Sequence, residues 1–263
     1  MSTGERAGER AGEHSGAGYS GTGAGAGAGA ERSGAVHRLV LFDVDCTLIE
    51  SHGAGGRAMF RAMDEVYGVR GELDGYSFHG RTDPAIIVDL ATRWGAPETL
   101  VRAGLARCLA RYIECLRDEM TDGEIEVLPG VHELVTALAC DRRVVLGVLT
   151  GNVADGLAIK LAPTGLLSLF KVQASGSDSA LRPELPAVAV ARADLLTGRR
   201  YTGKEVVVIG DTPADISCGA ALGVRAIAVA TGRHTIDELA ACEPDYAFAD
   251  LSDWRAVMGA ILA

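Results

Sequence analysis

No stretch of this sequence is apolar for anything near the roughly 18 residues that would suggest a membrane span. Its first residues also lack the charged-then-apolar order of a signal peptide. The expectation is a soluble, cytoplasmic protein with no membrane partner. Lysine is scarce, with Lys160, Lys171 and Lys204 the only three, and the basic residues form no cluster. With 35 acidic residues against 25 basic ones the formal net charge is -10. That balance argues against a nucleic-acid footprint or an anionic membrane surface, so an anionic ligand must be drawn by a local site. Cys46, Cys108, Cys115, Cys140, Cys218 and Cys242 form no C-x-x-C pair and have no histidine at zinc-finger spacing. Reduced, mostly buried thiols are expected.

What the chain does have is apolar material, 48% of 263 residues, enough for one large domain or two smaller ones. Residues 1–36 are mostly Gly, Ala, Ser, Glu and Arg and read as a disordered tail. Within it GTGAGAGAGA, at 21–30, has glycine-loop spacings but follows no strand, so it is not read as a phosphate loop. Further on, short runs rich in Val, Ile and Leu at 39–42, 144–149, 206–209 and 226–229 alternate with helical patterns. Such runs predict parallel strands buried on both faces. The fold class is therefore α/β, a doubly wound Rossmann-like parallel sheet built from residues 37–50 and 128–263.

Between 51 and 127 the strand signal gives way to helical stripes, and a helical cap inserted into the core is expected there. Met59, Met63, Val66 and Tyr67 form one stripe; Ile87, Leu90, Ala91 and Trp94 a second; Leu105, Cys108, Leu109, Tyr112 and Leu116 a third. Asp83 followed by Pro84 predicts a helix start with Asp83 as its N-cap.

The chemistry-bearing residues lie where the strand runs stop. FDVDCTLIE places Asp43 and Asp45 one residue apart at the end of the first run. In extended chain, residues i and i+2 share a face, so the two acids converge, and a cation or a retained proton must relieve them. The second run ends in Thr150-Gly151-Asn152, a hydroxyl and two N–H groups suited to cradle a phosphate where a helix begins. The run at 206–209 ends in Gly210-Asp211-Thr212-Pro213-Ala214-Asp215. Four carboxylates delivered to one sheet edge call for a hard divalent cation, Mg2+, held among Asp43, Asp45, Asp211 and Asp215. Arg182 is the cation best placed to offset the acids and grip a phosphoryl oxygen. Plainer roles compete: Asp211 as a helix cap, Asp215 as a first-turn acid, and Arg81 as a brace for the Asp83 turn rather than a substrate ligand. His52 and His79 read as surface or hinge residues.

DVDCTL, Thr150-Gly151-Asn152, Arg182-Pro183-Glu184-Leu185-Pro186 and GDTPAD resemble, in order and spacing, the four motifs of the haloacid dehalogenase-like superfamily. The helical insertion resembles its cap. HGRTDP, at 79–84, resembles a stretch of phosphoglycolate-phosphatase-like and β-phosphoglucomutase-like members. The resemblance implies a Mg2+-dependent phosphatase acting on a small phosphorylated metabolite. Asp43 would be the nucleophile and form an aspartyl-phosphate, while Asp45 would protonate the leaving oxygen and later deprotonate water. Asp43, the backbone carbonyl of Asp45 and Asp211 would hold Mg2+ with the support of Asp215. Arg182 and the Thr150 loop would share the phosphoryl charge. Two positions depart from the pattern: Cys46 stands where Gly is usual, and Arg182 where Lys is usual, which leaves Lys160 as its first rival. The same motifs would also serve a β-phosphoglucomutase-like phosphoryl transfer. A receiver-like phospho-acceptor switch would use similar groups, but resembles a smaller fold without the insertion. A monomer or homodimer is expected.

Overall fold

The five residues RLVLF, Arg38–Phe42, form strand β1 and are all buried, as a strand covered on both faces requires. In the computed structural model, which describes residues 37–120 and 125–263, β1 lies inside a six-stranded parallel sheet. On one side β4 (Val144–Leu149) sets Val145 opposite Leu39. On the other, β6 (Val206–Gly210) sets Val206 opposite the same residue. β5 (Val172–Ala174) continues beyond β4, and β7 (Arg225–Val229) and β8 (Tyr246–Phe248) continue beyond β6. The order β5-β4-β1-β6-β7-β8 reverses direction at β1. Such a reversal opens a crevice beyond the carboxyl ends of the strands. β5 and β8 are only three residues long, too short to stand out as apolar runs.

Period-two alternation divides β1 between two cores. Val40 and Phe42 join Leu134 and Leu138 of α4 (Val131–Cys140), Leu157 and Leu161 of α5 (Ala154–Leu161), and Val257 and Ile261 of α9 (Trp254–Leu262). Leu39 and Leu41 join Leu185, Ala189 and Ala193 of α6 (Leu185–Thr197). α7 (Pro213–Cys218) follows β6, and α8 (Ile236–Ala240) follows β7. Each large side chain so buried contributes about 1.5–3 kcal/mol, which anchors the strand whose end carries the acids.

Two short antiparallel strands, β2 (Ile49–Glu50) and β3 (Glu126–Val127), pair Ile49 with Val127 and bring the two ends of the helical insertion together. Between them lie α1 (Ala54–Tyr67), α2 (Asp83–Arg93) and α3 (Glu98–Glu119). Met59, Met63, Ile87, Leu90, Cys108, Tyr112 and Leu116 form a separate apolar cluster there, drawn from the three stripes. The start of α2 corrects the expectation by one residue. Thr82 is the N-cap: its hydroxyl accepts from the Ala85 N–H at 3.4 Å and donates to the Ala180 carbonyl at 2.7 Å. Asp83 is the first helical residue, and its buried carboxylate accepts from the Val153 N–H at 2.8 Å, a tertiary bond that no local rule announces.

All six thiols are free; Cys108, Cys115 and Cys218 are buried, whereas Cys140 and Cys242 are exposed, so burial of most of them is not what is found. The expected tail at 1–36 with its glycine-rich stretch, and residues 121–124 of the expected cap, lie outside the described residues. Among those described, no helix is long and apolar enough to cross a membrane.

Candidate active site

β1 ends at Phe42, although the Asp43 N–H still reaches the Ile209 carbonyl at 2.9 Å. The chain then turns at Cys46, whose φ of 59° is left-handed. Glycine adopts that conformation freely and a side chain does so under strain, which is the physical meaning of the departure at this position. Val44 nonetheless packs in the same apolar cluster as Val40 and Phe42, so the alternation of the run carries past the end of β1 and leaves Asp43 and Asp45 both facing the cavity. Each acid meets its own cation. Arg182 Nη2 donates to Asp43 Oδ1 at 2.7 Å and also to Asp215 Oδ1. The Lys160 amine donates to Asp45 Oδ1 at 2.7 Å and Oδ2 at 2.8 Å. Asn152 Nδ2 reaches Asp45 Oδ2 at 2.7 Å, and the Ser51 hydroxyl reaches Oδ1 at 3.5 Å.

These surroundings separate the two carboxyls electrostatically. Burial, the largest influence, pushes Asp43 up to about 7 against the pull of Arg182, with Asp215 adding to the rise. Burial also acts on Asp45, but the charge and hydrogen bonds of Lys160, with those of Asn152 and Ser51, hold it below the ordinary carboxylate range. Arg182 is buried in the short turn 182–184 that leads into α6, and its Nε has no partner among the described residues.

Asp215 and Asp211 are placed by the start of α7. Thr212, not Asp211, is the N-cap: its hydroxyl accepts from the Asp215 N–H, while Asp215 Oδ2 accepts from the Thr212 N–H at 3.0 Å and from its hydroxyl at 2.6 Å. This capping box fixes Asp215 beneath Arg182. Asp211 is left for another purpose. Its Oδ1 accepts from Thr47 at 3.4 Å, and its Oδ2 is buried with no partner among the described residues. A buried, unpaired carboxylate oxygen is costly. Burial, together with Asp43 and Asp215, pushes Asp211 up to about 8. Oxygens of Asp43, Asp211 and Asp215 lie within 4.8 Å of one another, a donor set able to hold a cation. The Asp45 side chain is not part of that set.

The Thr150 loop is largely engaged within itself. Thr150 Oγ1 accepts from the Asn152 N–H at 3.2 Å and from Asn152 Nδ2 at 2.8 Å, so Asn152 links Thr150 to Asp45. The Gly151 carbonyl accepts from the Asp83 N–H at 2.8 Å. A Cβ on Gly151 would come within 1.9 Å of the Arg81 carbonyl, so only glycine lets the helical insertion settle on this loop. Arg81 lines the cavity, but its guanidinium is paired with Asp89 and lies 5.0 Å over the Tyr76 ring.

The cavity encloses about 660 Å³. Asp43, Asp45, Thr150, Lys160, Arg182 and Asp211 face it from the sheet edge, and Met59, Phe60, Leu73, Phe78 and Ile86 face it from the insertion. His79 is in its wall too, its imidazole held below the ordinary range by burial and by Arg233 and His234. Sequence reasoning placed Lys160 only as a rival to Arg182 and missed the carboxylate of Asp83. One signal for Lys160 was available: it sits between Ile159 and Leu161 on a helix whose other side is core.

A family model for haloacid dehalogenase-like hydrolases matches residues 40–229. The chain is 29% identical over 168 residues, 61% of its length and 74% of the relative's, to a phosphoglycolate phosphatase of Synechococcus elongatus. In fold it is similar to a predicted phosphoglycolate phosphatase from Haemophilus somnus, with a TM-score of 0.63, 21% identity and coverage of 84% of this chain and 98% of that one. It is also similar to a candidate β-phosphoglucomutase from Bacteroides vulgatus, with a TM-score of 0.63, 20% identity and coverage of 86% and 89%. The family match runs from within β1 to the end of β7 and so takes in the helical insertion and the acids beyond β1 and β6: this chain belongs to the haloacid dehalogenase-like hydrolases.

Proposed function

We propose that this protein is a Mg2+-dependent phosphatase that hydrolyses a small phosphorylated metabolite through an aspartyl-phosphate, with the helical insertion as a cap over the site. The observation that carries this reading is the pair of acids one residue apart, each held by a different cation, beside the orphaned oxygen of Asp211.

Asp43 attacks phosphorus as the ester P–O bond breaks. The electron pair of that bond passes to the ester oxygen, which takes from Asp45 the proton that this carboxyl must hold for the step against the pull of Lys160, and leaves as the alcohol. Asp45, now a carboxylate, takes a proton from water. The water oxygen attacks the aspartyl-phosphate, breaking its bond to Asp43 and releasing phosphate. Arg182, which lines the cavity beside Asp43, grips a phosphoryl oxygen, and Thr150 orients the groups beside it. Asp43, Asp211 and the backbone carbonyl of Asp45 would hold the cation, with Asp215 bracing Arg182 behind them; an all-oxygen set suits Mg2+. Bound there, the metal would offset the charge of the transferring phosphoryl group.

The cavity has room for a metabolite and is walled on both sides, which disfavours a phosphoprotein. Phosphoglycolate, named in the relatives, and hexose phosphates are the first candidates. The free thiols suit a reducing cytoplasmic setting. The test is phosphate release from phosphoglycolate, hexose phosphates and nucleoside monophosphates, with Mg2+ and then with chelator. Metal-dependent release from one ester is expected. No release from any ester by folded protein would reject the phosphatase in favour of phosphoryl transfer or a phospho-acceptor.

A further inference from the structure

We infer that Lys160 is a positioning residue that holds the Asp45 carboxylate in the orientation needed to deprotonate water during aspartyl-phosphate hydrolysis; this rests on the phosphatase reading above. Lys160 is 4% exposed, and its amine donates to both oxygens of Asp45. With Asn152 on Oδ2 and Ser51 on Oδ1, the carboxylate receives donors on both oxygens, an arrangement that suits an acceptor-only group. The lysine is carried by α5, which Leu157 and Leu161 lock into the core. Its amine is boxed from above as well: a Cβ on Gly55 of α1 would lie 3.3 Å from Lys160 Nζ and 3.7 Å from the Tyr112 hydroxyl. A bare glycine therefore leaves the space that the ammonium fills, where it holds both oxygens of Asp45. Direct phosphoryl binding is the lesser role for this lysine, because Arg182 is the cation on Asp43.

Water attack requires a base aimed at one point, whereas formation of the aspartyl-phosphate from an ester with a good leaving group needs little help from Asp45. Loss of Lys160 should therefore slow the second half-reaction selectively. The experiment uses the full chain with para-nitrophenyl phosphate and Mg2+, and measures steady-state rates, the pre-steady-state burst of nitrophenolate and acid-trapped radiolabelled phosphoenzyme. For Lys160→Met the expected kcat falls about 100-fold, within the usual range for acid–base assistance. KM should fall with it, kcat/KM should stay near the wild-type value, and phosphoenzyme should accumulate. Lys160→Arg should restore most of kcat. Gly55→Ala keeps every charge, places a good helix former in a helix and crowds the ammonium, so it should give a weaker form of the same pattern even if the methionine variant does not fold. Equal losses in kcat and kcat/KM without trapped phosphoenzyme, or unchanged kinetics in Gly55→Ala and Lys160→Met, would overturn the assignment. Wild-type protein that neither releases phosphate nor forms a phosphoenzyme would remove the underlying reading together with it.

Discussion

The two walls of the cavity are built on different physics. At the sheet edge, Asp43, Arg182, Asp211 and Asp215 are buried; Arg182 Nη2 links Asp43 to Asp215, both Asp215 oxygens are held, and Arg182 Nε and Asp211 Oδ2 are buried without a partner among the described residues. Facing them, the insertion offers Met59, Phe60, Leu73, Phe78 and Ile86, while the Arg81 guanidinium is turned to Asp89 and Tyr76. A preorganised charged wall stabilises charge that moves during reaction. An apolar wall supplies contact area and shape, which act on substrate and transition state alike. Damage to the first should therefore appear in turnover, and damage to the second in affinity and in the choice among esters.

The largest effect belongs to Asp43. Asp43→Asn keeps the size of the side chain and an acceptor for Arg182 but removes the proposed nucleophile. Phosphate release should fall by roughly 10⁴-fold or more, with a cooperative melt retained. Activity near the wild-type value in a folded variant would place the nucleophile elsewhere and dissolve the contrast between the walls.

The charged wall was also the more legible one. Local rules were enough for the strands at 39–42 and 144–149, because a parallel strand covered on both faces must be continuously apolar, and for the acids that end them. They could not tell which cation would serve which acid. Arg182 and Lys160 lie 139 and 115 positions from Asp43 and Asp45, and only the packing of α5 and α6 on the sheet sets their targets. The cap of α2 was misplaced by one residue because Asp83 passes every local test for an N-cap, yet its carboxylate is claimed by Val153, 70 positions away. Likewise, the plainer role open to Asp211, that of helix cap, is taken by Thr212, which only the geometry of the turn reveals. The apolar wall was visible in sequence only as helical stripes, since periodicity shows that a residue avoids water but not whether a neighbour or a ligand covers it.

The second effect tests that wall. Phe78 is half-buried, with its ring centroid 5.8 Å from that of Phe60 and 5.7 Å from that of Tyr76. Phe78→Ala should raise KM about 10-fold, with kcat changed far less, and should alter the ranking of esters in the phosphate-release panel, as the loss of apolar pocket contacts does elsewhere. A fall in kcat with KM unchanged would mean that the insertion contributes to the chemistry, and the division of labour would have to be redrawn.

The smallest effect lies where the walls meet, at Asp83. Its N–H bonds the Gly151 carbonyl and its carboxylate accepts from Val153, so it ties the insertion to the Thr150 loop. Burial raises this carboxyl to about 6, with Lys160 opposing, from an ordinary value of 3.8. Between those values the folded chain keeps a proton that the unfolded chain has lost, so folding draws stability from acid. That contribution is present below the unfolded value and is lost as pH rises through the folded one. Asp83→Asn retains an acceptor for the Val153 N–H but cannot titrate. Thermal melts of wild type and variant at about pH 4 and pH 7 should therefore diverge, with the variant gaining about 2–4 °C relative to wild type at the higher pH, the shift that 1 kcal/mol produces in a chain of this size class. The subtraction cancels Asp43 and Asp211, whose raised values do not depend on Asp83. Parallel profiles would show that Asp83 is as accessible to water as an ordinary surface acid, and that the seam between the walls is open rather than sealed.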